Sequence, residues 1–223
     1  MGQKKKRSLK GIRIKNANFA MIVISCILYV LLITATIRAS NRYKDVQEAM
    51  DTYIACEECN LLLTLGSSYL TEQVRLYTVT TDTGYMENYF TEVHVTKNRE
   101  NAVKKLEVHY HNDKIYGILS DALESSNALM VDEIYAMRLV AQAQGEDADS
   151  LPEEVRNVQL SEEDLALSKE DMLEKARDLV FGSKYQDSKE EISSHVEYFM
   201  DSIQNDTNQR MINSANNLSS TMA

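Results

Sequence analysis

Residues Asn16–Ile37 read NANFAMIVISCILYVLLITATI, a run of 22 residues without a charge, closed by Lys15 on one side and Arg38 on the other. At about 1.5 Å rise per residue, a helix of this length reaches about 33 Å and crosses a hydrocarbon core of about 30 Å. A secretory signal has a shorter apolar run, roughly 7–15 residues, that ends at a small-residue cleavage site. Ala35-Thr36-Ile37 does not make such a site, and Ile37-Arg38-Ala39-Ser40 leaves the only room for cleavage. The expectation is a retained membrane helix over residues 16–38, with everything after it held at a membrane surface.

Charge divides the chain at the same place. Of 24 Lys/Arg and 34 Asp/Glu, eight basic residues and no acids lie in residues 1–38, leaving 16 basic against 34 acidic residues in 39–223. The basic end, MGQKKKRSLKGIRIK (residues 1–15), is expected to stay cytoplasmic by the positive-inside rule, which puts residues 39–223 outside the cytoplasm. An acidic external module, net −18 by that count, is a poor binder of nucleic acid or anionic lipid. Gly2 suggests myristoylation, but Lys6 stands where that motif needs Ser or Thr.

Seven Gly, one Pro and no Trp in 223 residues favour long helices over a sandwich or barrel, which needs many turns. The expected fold is all-α: the membrane helix, then an elongated up-down bundle of four-helix type. Tyr43, Val46, Met50 and Tyr53 share one helix face, and the pattern runs unbroken from Ala39 to about Thr81. Thr80-Thr81-Asp82-Thr83-Gly84 supplies a turn, with Asp82 as cap. A second helix is expected over Tyr85–His109, and Asn112-Asp113 is the next cap candidate.

From Ile115 a stripe of Leu119, Ala122, Ser126, Leu129, Glu133, Ala136 and Val140 alternates spacings of 4 and 3, a heptad-like seam with Ser126 and Glu133 as polar seats. A loop is expected over 145–160. Ser161 and Ser168, each followed three residues later by Asp164 or Asp171, read as helix starts of capping-box type. The last helix is expected to begin near Asp187 or Ser188 and to bury Ile192, Val196, Phe199 and Ile203. Its polar end, NSANNLSSTMA, has no stop signal, which suggests truncation before a second membrane helix.

The chemistry-bearing residue types do not assemble into a catalytic motif. No glycine-rich phosphate loop, G-x-S-x-G or H-E-x-x-H occurs. Cys56 and Cys59 form CEEC, two thiols without the partners of a zinc site, and read as small helix residues; a redox role or a cross-dimer disulfide is the alternative. His109 and His111 point apart on a helix, so a metal reading needs a turn there and an acid such as Asp113. No cofactor and no metal is expected. The one residue singled out is Arg75, deep in the first external helix, whose guanidinium suits a carboxylate or nitrate-like oxyanion. It either pairs internally with Glu72 or another acid and caps the Asp82 turn, or contacts a ligand together with Tyr77.

Residues 75–90, RLYTVTTDTGYMENYF, place Arg75, Tyr77, Thr80, Asp82, Tyr85 and Tyr89 in an R-x-Y-x-x-T-x-D-x-x-Y-x-x-x-Y order. This resembles CHASE-type four-helix extracellular sensor regions of bacterial transmembrane signalling proteins. With LTEQVRLYTVTTDTGYMENYFTEV, IYAMRLV, LPEEVRNVQLSEEDLALS and ARDLVFGSKYQ, it is similar above all to the sensor half of clostridial-type diguanylate cyclases. The likeness covers about residues 40–215. It departs at Thr81, where that pattern often has Gly, and no GGDEF, EAL or kinase signature is present. The resemblance implies a sensor input region rather than an enzyme, answering an unidentified small-molecule or protein signal; the apolar run makes the lipid bilayer a partner, and the seams predict a homodimer along the first and last helices. The alternative is a single-span scaffold with an acidic helical domain.

Overall fold

In the computed structural model, which describes residues 14–109 and 113–222, the apolar run forms the first third of one helix, α1 (Ile14–Thr80). This helix contains no Pro and a single Gly, Gly66, so nothing in its sequence breaks the backbone ladder. Its apolar run is the one stretch among the described residues long and apolar enough to cross a membrane, and none of it is buried. Phe19, Tyr29 and Leu32 are 69%, 67% and 63% exposed, unlike the side chains of a soluble core helix. The basic segment up to Arg13, His111 and the cap candidate Asn112 lie outside the described residues.

The described chain is all-α, with no strand. After α1 come α2 (Thr83–Thr91), a π-helical turn (Glu92–Thr96), α3 (Asn98–His109) and α4 (Asp113–Gln144). A 3₁₀ turn (Ala148–Ser150) and two short helices, α5 (Glu153–Arg156) and α6 (Glu162–Leu165), precede α7 (Lys169–Phe181) and α8 (Ser183–Met222). Two compact units are present. One holds the described residues up to Glu48 and from Arg210; the other is Ala49–Gln209. Helices α1 and α8 contribute to both.

Within Ala49–Gln209 the core falls into two main clusters. Cys56, Cys59 and Leu63 of α1 meet Ala102 and Val103 of α3, Leu119 and Ala122 of α4, and Val196, Phe199 and Ile203 of α8. Farther along α1, Leu70, Val74 and Tyr77 meet Met86, Tyr89 and Phe90 of α2, Ala136 and Val140 of α4, and Ala176 and Val180 of α7. The order of these residues makes the chain run up α1, down α2 and α3, up α4 and down α7 and α8, as an up-down topology requires. The face α1 gives to the core is Ala49, Cys56, Cys59, Leu63, Leu70, Val74 and Tyr77. On the face carrying Tyr43 and Met50, those two side chains are 71% and 38% exposed.

Three boundaries differ from the sequence-based expectation or sharpen it. The helix expected over Tyr85–His109 is broken: Lys97 takes φ 50°, and its N–H returns to the Glu92 carbonyl across 2.8 Å. The Glu92 carboxylate then caps α3, accepting from Asn98 N at 2.9 Å and Asn98 Nδ2 at 3.1 Å. The last helix starts at Ser183, directly after Gly182, rather than near Asp187. The Asp82, Ser161 and Ser168 caps form as read, accepting from Gly84 N at 3.0 Å, Asp164 N at 3.1 Å and Asp171 N at 3.2 Å.

Candidate functional site

Between the two apolar clusters of Ala49–Gln209 lies a polar layer, built where helical stripes place polar residues at core positions. The α4 seam supplies Ser126 and Glu133, which are 4% and 3% exposed. From α1 come Ser67 and Thr71, from α2 Tyr89, from α3 Arg99, and from α8 Tyr185 and Lys189. Arg99 is 1% exposed, the largest fully buried side chain described.

Glu133 is the hub. Tyr89 donates its phenol to Glu133 Oε2 across 2.6 Å, and Tyr185 donates to Oε1. The Tyr185 hydroxyl also meets Thr71 Oγ1 at 3.0 Å, so one chain of hydrogen bonds crosses from α2 through α4 and α8 to α1. Burial pushes the Glu133 carboxyl above the ordinary glutamate range; the two phenols, Lys189 and Arg99 oppose that shift without cancelling it. A second chain runs beside it. Arg99 donates to Ser126 Oγ at 2.9 Å, Ser126 and Ser67 hydroxyls meet at 3.3 Å, and Lys189 donates to Ser67 Oγ at 3.0 Å. Arg99 also donates to Glu100 Oε1 at 3.1 Å and approaches Met130 Sδ at 3.4 Å.

The layer opens into a groove of about 470 Å³ lined by Ser68, Thr71, Glu72, Arg75, Leu76, Val79, Phe181 and Lys189. Arg75 donates from Nε to the Val180 carbonyl across 2.8 Å. Its guanidinium carbon lies 4.7 Å from the Phe181 ring centre and 5.4 Å from that of Tyr185. Arg75 Nη2 is buried and has no hydrogen-bond partner among the described residues. Burial lowers the Lys189 ammonium below the usual lysine range, and the charges of Arg75 and Arg99 add to the effect, against Glu133. A second groove of about 460 Å³ lies against Gly66, Tyr69, Asn88, Thr91 and Glu92.

The two residues expected at a ligand site are placed apart. Arg75 lines the groove and gives its Nε to Val180 O, not to Glu72, while the Asp82 carboxylate accepts from Gly84 N. Tyr77, two positions on, turns into the core, where its buried phenol donates to Glu146 Oε1 at 2.9 Å. Burial, then the Glu146 bond, holds that phenol well above the tyrosine range. Cys56 and Cys59 are both free and 0% exposed. Burial pushes the Cys56 thiol up to about 12 and raises Cys59, so neither is a ready thiolate near neutrality. Among the described residues no three His, Cys, Asp or Glu gather as metal ligands. Arg99 and Lys189 were not singled out by sequence reasoning.

Compared with protein-family models, with curated proteins and with solved structures, the chain matches none.

Proposed function

We propose that residues 39–223 form the extracytoplasmic input region of a bacterial transmembrane signalling receptor of the diguanylate cyclase type, with residues 1–15 cytoplasmic and residues 16–38 in the bilayer. The observation that carries this reading is the open groove whose wall is α1, the same helix that holds the membrane-length apolar run. The mechanism is a population shift. A ligand that binds one packing of the α1–α8 groove more tightly than another biases the packing of α1 residues 49–80, and the helix backbone carries that bias toward residues 16–38.

A second copy of the chain is the expected partner. Met50, Ile54, Leu61 and Leu65 of α1 are exposed and follow one another at 4, 7 and 4 residues, on one face of the helix. The test is oxidative cross-linking of the full chain carrying Leu65→Cys in bacterial membranes, with the wild-type chain as control. The standard amino acids, short carboxylates and nitrate are supplied one at a time. The reading predicts a cross-linked dimer whose rate of formation changes with at least one compound. A monomer, or a rate that no compound moves, contradicts it and favours the single-span scaffold.

A further inference from the structure

We infer that the α1–α8 groove binds a small organic monocarboxylate, held by Arg75 and Lys189 with its apolar part on Leu76, Val79 and Phe181. This deepens the input reading and rests on it for its biological role.

Charge carries the inference first. Arg75 and Lys189 both line the groove, and among the described residues neither has a carboxylate within ion-pair distance and Lys189 bonds to Ser67. The single acid in the lining, Glu72, is exposed and makes no ion pair with either of them. Among the lining residues two cations face one acid, and Glu133, which acts on Lys189 from the buried layer, is itself held above the ordinary glutamate range by burial, so the groove favours one added monoanion. Both cations are partly buried, with Arg75 Nη2 fully so, and a desolvated cation left unpaired costs stability that a bound counter-charge recovers.

Hydrogen bonding comes second. Arg75 Nε is committed to Val180 O, while Nη2 is buried and unsatisfied. Buried side-chain polar atoms are mostly partnered, and a guanidinium fork matches the two oxygens of a carboxylate. Lys189 has three donors, and the two contacts to Ser67 at 3.0 and 3.5 Å leave one free. Thr71 Oγ1 is already used by Ser67 O at 3.0 Å and by Tyr185, so beside the exposed Ser68 hydroxyl the donors left to the groove are those of the two cations.

The wall comes third. Leu76, Val79 and Phe181 offer apolar surface beside those cations, with Val79 57% and Phe181 46% exposed. A hydrated inorganic oxyanion leaves that surface uncovered, whereas an organic acid covers it and gains from doing so. The occupant also sits at the end of the Thr71–Tyr185–Glu133–Tyr89 chain, so its charge is felt in the buried layer.

The experiment is isothermal titration calorimetry, with thermal unfolding, on the full chain in detergent micelles. The probes are benzoate and butyrate, their neutral counterparts benzamide and butyramide, and nitrate and sulfate. The expected result is that benzoate or butyrate binds and raises the unfolding midpoint while both amides do nothing. Arg75→Gln and Lys189→Gln should each weaken binding about tenfold or more. Glu72→Gln, a change at an exposed position, should tighten it, which keeps the test decisive if either cation variant folds poorly. Binding of nitrate or sulfate as tight as that of the organic acids, amides that bind equally well, or no carboxylate binding at millimolar concentration would overturn the inference. A carboxylate that binds here yet leaves Leu65→Cys cross-linking unchanged removes the input reading and keeps the site. Cross-linking that answers only to a neutral compound keeps the input reading and removes the carboxylate.

Discussion

Tyr89 of α2 donates its hydroxyl to Glu133 Oε2 of α4 across 2.6 Å, both side chains fully buried between the two apolar clusters of residues 49–209. Burial makes the middle of the bundle titratable: it holds the Glu133 carboxyl above its ordinary pKa although the bonds from Tyr185 and Tyr89 and the charges of Lys189 and Arg99 act the other way.

The sign follows from linkage. A carboxyl whose folded pKa is raised binds its proton more tightly in the folded chain than in the unfolded one. Its contribution to stability is full below the unfolded value, about 4.3, and is lost as pH rises through the raised folded value. The unfolding midpoint of the full chain should fall as pH rises through that window, and Glu133→Gln should flatten the profile there. Asp164 works the other way. Burial alone raises its pKa, but bonds from Lys175, Tyr135 and Ser161 outweigh burial and hold it below the aspartate range. Its contribution is present above about 3.9 and lost as pH falls through the lowered folded value, so Asp164→Asn should remove the acid-side loss. Thermal unfolding across pH, monitored by circular dichroism, separates the two windows.

Gly66 tests the seat of Arg99. A Cβ at Gly66 would stand 2.8 Å from Arg99 Cγ and 3.2 Å from Glu92 Oε1. The Gly66→Ala variant gains about 1 kcal/mol in helix propensity but meets an overpacking cost of about 1–3 kcal/mol, and the expected outcome is a net loss of stability. At Gly117 of α4 a Cβ meets nothing within 4 Å, so Gly117→Ala should stabilise by about 0.5–1 kcal/mol. Denaturant unfolding of the pair checks the contrast. Equal effects in the two variants would deny that Arg99 packs against Gly66.

Thr81 ends α1 in the left-handed region, at φ 61°, where its N–H reaches the Tyr77 carbonyl across 2.8 Å. A β-branched residue is strained there and Gly is not. Replacing Thr81 with Gly should stabilise the chain by about 1 kcal/mol. A destabilised variant would show that the Thr81 side chain is needed.

The legibility of the chain differed by region, and each difference has a cause. The α4 seam was readable because heptad spacing registers burial whatever the residue type, so Ser126 and Glu133 were placed on the core face as polar seats. The caps at Asp82, Ser161 and Ser168 were readable because each is a local interaction. Arg99 was not, because KNRENAVKK reads as a solvated charged face; only its position three and four residues before Ala102 and Val103 betrays the shared side. Tyr185 was missed because the last helix was started too late, and Lys189 because it then sat in a charged first turn that reads as solvated. Extended back to Ser183, the stripe reads Tyr185, Lys189, Ile192, Val196, Phe199 and Ile203 at alternating spacings of 4 and 3. The break at Lys97 carries no Gly or Pro to mark it, and depends on the Glu92 side chain returning to Asn98, a contact that periodicity does not encode.

The central claim, that residues 49–209 lie outside the cytoplasm on an anchored chain, is tested most directly by labelling intact spheroplasts with a membrane-impermeant maleimide. Val131 of α4 is 70% exposed, whereas Cys56 and Cys59 are buried with raised pKa values and serve as internal controls. The account predicts that the Val131→Cys chain is labelled in intact spheroplasts and that the wild-type chain is not. Labelling of Val131→Cys only after lysis would place the domain in the cytoplasm and contradict the account.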